Sequence, residues 1–174
     1  GKTIAFASTE RNGLDFDIYT ADLATGETTR LYEGVFGFSA HALSPDGKKL
    51  IVTEAVGEDS DNLYLLDVDT RELTEIAKPD PRANHTNGGF VWLPDSSGFY
   101  FSSNERGEVS ALTGYGVASG TTDVLEKTSH DVADVHLCGK EGEYLVWTEN
   151  VDGFDTLKLD RNGVLLDIDT SGLP

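Results

Sequence analysis

Positive charge is scarce in this chain. Its 174 residues carry 13 Lys plus Arg against 31 Asp plus Glu, a net charge of −18. Nucleic-acid phosphates are held by Lys and Arg, and anionic lipid surfaces attract the same residues. The composition therefore argues against nucleic acid and against a membrane as partners. Self-repulsion of this size weakens the compact state at low salt, a lever that halophilic proteins use, so a salt-loving source is expected. The single cysteine, Cys138, leaves no intrachain disulfide. No run of about 18 apolar residues occurs, so no transmembrane helix is expected. No signal-peptide pattern opens the sequence, and a cytoplasmic location is the expectation. No stretch sustains a 3.6-residue apolar period, so almost no helix is expected either.

What is present is a repeat. Leu43-Ser44-Pro45-Asp46-Gly47-Lys48-Lys49-Leu50-Ile51-Val52 is an apolar strand end, a turn and a second apolar strand. Pro presets φ for the turn, Asp caps nearby amides and Gly takes the φ > 0 position. Moving 49 residues on from Pro45-Asp46 lands on Pro94-Asp95; moving 46 back from Gly47 lands on Gly1; moving 46 on from Ser96 lands on Gly142. A period in the forties, with short strands between turns, suits propeller blades of four strands each.

The fold class expected is all-β, a partial β-propeller of about four blades: three complete four-stranded blades and one three-stranded blade. The blades are approximately 1–34, 35–79, 80–128 and 129–174, within a single domain. Fifteen strands result, among them Ile4–Ser8, Asp17–Asp22, Lys49–Glu54, Ser110–Val117, Val132–Cys138 and Val164–Ile168. Asp22 and Asp67 end matching strands where each can cap a turn, and Gly116 at the corresponding place reads as a bulge. The chain opens in mid-repeat without a Met and reads as a fragment or a trimmed piece. Its first blade lacks an inner strand, so apolar side chains such as Ile4, Phe6, Leu145 and Trp147 are expected at open blade ends where the register turns them outward; otherwise Trp147, like Trp92, reads as core. A homodimer that covers those ends follows as an expectation.

The turn Ser44-Pro45-Asp46-Gly47-Lys48-Lys49-Leu50 resembles the repeat of Tol-system propellers. It also resembles the propeller half of the prolyl oligopeptidase family of serine peptidases. Phe90-Val91-Trp92-Leu93-Pro94-Asp95-Ser96-Ser97-Gly98-Phe99-Tyr100-Phe101-Ser102-Ser103-Asn104-Glu105-Arg106-Gly107 is similar to acylaminoacyl- and dipeptidyl-peptidase-type members. So is Leu145-Val146-Trp147-Thr148-Glu149-Asn150-Val151-Asp152-Gly153. That resemblance implies a propeller gating substrate access to an α/β-hydrolase domain, which would be the partner, with peptide as the parent's substrate. The catalytic triad does not carry over. The nucleophile elbow is Gly-x-Ser-x-Gly, and the nearest run, Gly37-Phe38-Ser39-Ala40-His41, fails at its last position. The chain alone is therefore expected to be inactive. A stand-alone binding or scaffold propeller of the Tol type is the alternative, and a half-propeller without its own function is a third.

No catalytic, cofactor or metal residues are assigned. Asp134, His136 and Cys138 alternate along one strand and so share a face, an arrangement that fits a metal. In the repeat, however, His136 matches His41 and Phe90, and Cys138 matches Leu43 and Trp92, which makes them packing positions. Glu58-Asp59-Ser60-Asp61 lacks the spacing of a calcium loop and reads as a solvated turn. Arg82, Asn84 and His85, on the longest loop, are the candidates for facing a partner or substrate.

Overall fold

The computed structural model describes residues 1–78, 84–126 and 128–168. The described residues contain fifteen strands and no helix. They form two compact units, residues 1–86 and 87–174.

The first unit holds two antiparallel sheets. One is β1 (Thr3–Ser8), β2 (Asp17–Asp22) and β3 (Thr28–Tyr32); the other is β4 (Phe38–Leu43), β5 (Lys49–Gly57), β6 (Ser60–Asp67) and β7 (Leu73–Ala77). They pack face to face. Ile18 and Leu31 of the first sheet join Phe38, Leu50, Val52, Tyr64 and Leu66 of the second in one core. The second unit repeats the plan with β8 (Asn87–Trp92), β9 (Gly98–Ser103), β10 (Ala111–Gly116) and β11 (Thr121–Glu126), then β12 (Val132–Cys138), β13 (Tyr144–Val151), β14 (Phe154–Arg161) and β15 (Val164–Leu166). Here Leu112 packs with Val132, Val135 and Trp147. Phe99 stacks among Trp92, Phe101 and Tyr115 at ring separations of 5.1, 5.5 and 5.2 Å. The four sheets are propeller blades, and the first has three strands.

The turns work as their residues dictate. The Ser44 hydroxyl donates to Asp46 Oδ1 at 2.6 Å and accepts the Lys49 N–H at 2.9 Å, while the Gly47 N–H reaches the Ser44 carbonyl at 2.8 Å. Gly47 has φ 75°. Asp22 Oδ1 accepts the amides of Ala24 and Thr25, and Asp67 Oδ1 those of Asp69 and Thr70. Asp67 also takes the Lys49 ammonium at 2.7 Å. That ammonium and the Thr70 amide hold its carboxyl well below the usual range.

Three expectations need correction. Gly116 is not bulged; it pairs with Gly98 and Thr121. The shift falls instead between Leu112 and Thr113, leaving Leu125 of β11 as the extra residue. Leu31 of β3 and Ile76 of β7 hold the same place against β2 and β6. The alternation assumed for Asp134, His136 and Cys138 also fails. β12 is bulged between Ala133 and His136, and Asp134 has φ 47°. Asp134, His136 and Cys138 are all exposed, so they are neither packing positions nor a converging set. Bulges also interrupt β4 and β8, and the residues opposite the three interruptions, Ile51, Phe101 and Trp147, are buried. Trp147 lies inside, 2% exposed, in keeping with its reading as core, whereas Phe154, Val164 and Leu165 stand in solvent. β15 stops at Leu166, two residues short of the expected Ile168.

An ion network closes the first sheet. The fully buried Asp17 carboxylate accepts Arg11 Nε at 2.9 Å, Arg30 Nη1 at 3.3 Å and the Gly34 amide at 3.1 Å. Arg11 also donates to the Gly34 carbonyl at 2.9 Å. A side chain at Gly34 would collide with the Phe16 carbonyl.

Two outcomes follow. A Cβ at Gly47 meets nothing within 4 Å, so Gly47→Ala tests the left-handed backbone alone and should cost roughly 1 kcal/mol in urea unfolding. No loss would show that the turn relaxes. For Asp17, the Arg11 hydrogen bond is the main cause that lowers its carboxyl below the ordinary value when folded. The network's stabilisation is therefore present above the unfolded value of about 4 and lost as pH falls through the lower folded value. The urea midpoint should fall on acidification from about pH 5 to about pH 2, less steeply in Asp17→Asn. Identical acid profiles for the two chains would contradict this.

Candidate functional site

The loop singled out in the sequence is divided by the structure. Arg82 lies outside the described residues. Asn84 is exposed. His85 is 2% exposed and fastened to the start of β6: its carbonyl accepts the Asp61 N–H at 3.0 Å, and its own N–H approaches Ser60 Oγ at 3.4 Å. The His85 side chain is thus enclosed, while Asn84 and Thr86 are exposed. The neighbouring Glu58 and Asp59 are exposed hairpin residues.

Two polar groupings on this sheet were not legible beforehand. On β4 and β5, His41 Nε2 lies 2.7 Å from Thr53 Oγ1. His41 is exposed, yet partial loss of solvent around its ring lowers the imidazole below its ordinary value, opposed by the charge of Asp61. On β5 and β6, Glu54 Oε2 accepts Asn62 Nδ2 at 3.0 Å and the Tyr64 hydroxyl at 2.8 Å. Burial, then that hydrogen bond, pushes the Tyr64 phenol up to about 12, so it acts as a donor. Only register could reveal these groupings, because it sets which of the alternating residues meet.

Hydrolytic chemistry needs a nucleophile held at a turn and a base in reach. Ser39 is the second residue of β4, exposed and paired with Thr53. Such a residue is not on the strand-to-helix elbow that a hydrolase serine occupies. His41 meets a threonine hydroxyl there. Among the described residues, no group of three or more His, Cys, Asp or Glu is placed to hold a metal.

No protein-family model matches the chain. Among curated proteins, it is 30% identical over 145 residues to dipeptidyl-peptidase 5 of Porphyromonas gingivalis, covering 77% of the chain and 21% of that protein. It is 30% identical over 157 residues to the uncharacterized peptidase YuxL of Bacillus subtilis, covering 89% of the chain and 21% of that protein. The chain thus spans about a fifth of the length of these relatives. Among solved structures, it superposes on TolB from Acinetobacter baumannii with a TM-score of 0.71 and 22% identity, over 94% of the chain and 40% of TolB. These likenesses, on four antiparallel sheets of which two carry a Pro-Asp hairpin turn, make the chain a β-propeller portion of the prolyl oligopeptidase family of serine peptidases, with repeats of the Tol type.

Proposed function

We propose that the chain is the non-catalytic propeller part of a prolyl oligopeptidase-like serine peptidase, and that it restricts substrate entry while packing on an α/β-hydrolase domain elsewhere in the same protein. The observation that carries this reading is the pair of peptidase relatives, matched over most of this chain but over only a fifth of their own length. The lack of an elbow around Ser39 supports it, since the nucleophile then has to come from another segment. Blades of a closed propeller surround a central channel, and a channel over an active site admits peptides by size. The likeness to TolB favours a second reading, a stand-alone propeller that binds another protein.

A fluorophosphonate probe separates the two. Residues 1–174 alone should remain unlabelled. The full-length protein should be labelled at one serine outside this span, within a Gly-x-Ser-x-Gly run, and lose the label when that serine is replaced. A specific label on a serine within residues 1–174 would overturn the reading. A full-length protein with a secretion signal and no hydrolase sequence would overturn it in favour of the binding propeller.

A further inference from the structure

The two units pack their sheets by the same plan, but one has a break in its core. In the first unit, the third-strand partners of Leu50 and Val52 are Leu66 and Tyr64, and all four lie in the core. In the second unit, the residues of β13 facing the preceding sheet are Leu145 and Trp147. Their third-strand partners are Asp160 and Lys158. The pattern thus sets two charges where two apolar side chains would close the gap. The bulged residue of the outer strand responds. Leu31 is 5% exposed in the first unit, whereas Leu125 is 47% exposed in the second.

The result is a cavity of about 430 Å³ between the sheets β8–β11 and β12–β15. That size lies within the usual range of small-ligand sites, about 300–1,000 Å³. Its apolar wall is Leu112, Leu125, Leu145 and Leu165, with Trp147 behind. Tyr100, Glu126 and Asp160 supply the polar part. Lys158 does not line it; its ammonium lies 3.6 Å from Glu149, which also accepts the Trp147 indole N–H. Asp160 uses Oδ1 to accept the Gly163 amide at 2.8 Å. Its charge is felt across the gap by Tyr100, whose phenol is raised by burial first and by Asp160 second.

We propose that this cavity binds an organic cation with a hydrocarbon or aromatic body. The body replaces the missing apolar core against the leucines, and the ammonium is matched by Asp160 and Glu126. An aromatic face such as Tyr100 adds attraction for a cation. A carboxylate ligand would meet two like charges, and a neutral one would gain only the apolar contact. The surrounding net charge of −18 further favours a cation.

Phenylbutylamine, phenylbutanol and phenylbutyrate share a body and differ in the head group, so they serve as probes. Each is titrated into the 174-residue chain while the Trp147 indole N–H resonance is followed. The amine should bind at least about tenfold more tightly than the alcohol, and the carboxylate should bind most weakly. Asp160→Asn keeps an acceptor for Gly163 and should remove most of the amine's advantage. Asp152→Asn, on an exposed hairpin, should leave it intact. Equal affinities for the three probes, an amine advantage that survives Asp160→Asn, or no binding of the amine would each overturn the proposal.

Discussion

Leu50, Ile51 and Val52 are consecutive residues of one strand, and all are withdrawn from water. Successive side chains of a strand point to opposite faces, so β5 is buried on both. Each such side chain is worth about 1.5–3 kcal/mol when fully buried. A sheet built around a strand of this kind gains that energy only with cover on both faces. The other blades bury large apolar side chains of their own: Ile18, Phe99 with Phe101, and Trp147. The polar turns then fix the hairpins. With Ser44, Asp46 and Lys49 tied together, the register of β4 and β5 is set next to the turn, where Leu43 faces Leu50.

Four of the 13 cations tie strands and turns together. Arg11 and Arg30 converge on buried Asp17, Lys49 joins the end of β6 through Asp67, and Lys158 reaches Glu149 across β13 and β14. In a chain with 31 acidic residues, such pairs relieve local repulsion as well as link neighbours. The surface left over is strongly negative.

The sheets and most strand limits were legible in the sequence because turn residues punctuate them: Pro45-Asp46-Gly47, Pro94-Asp95 and the caps Asp22 and Asp67. The bulges were not. A bulge adds one residue to one strand and turns the following side chains over, and nothing in Val132–Cys138 announces that Asp134 takes a left-handed backbone. Equating Cys138 with Trp92 placed an exposed thiol inside, because counted from the bulge that β8 and β12 share the counterpart of Trp92 is Leu137. The loop was legible only as a loop. Neither the burial of His85 nor the exposure of Asn84 could be read locally, because His85 is held by Ser60 and Asp61, about 25 residues earlier. Leu157-Lys158-Leu159-Asp160 reads as an ordinary alternating strand. Which face carries the charges depends on pairing with β13.

That pairing is the most direct test of the structure as described. Cross-strand proton contacts in the nuclear magnetic resonance spectrum should join Trp147 with Lys158, Leu145 with Asp160, His136 with Val146 and Ala133 with Thr148. Asp134 and Val135 should both fall opposite Trp147. A register displaced by one residue, joining Trp147 with Leu157 or Leu159, would send the indole to the other face and contradict the account.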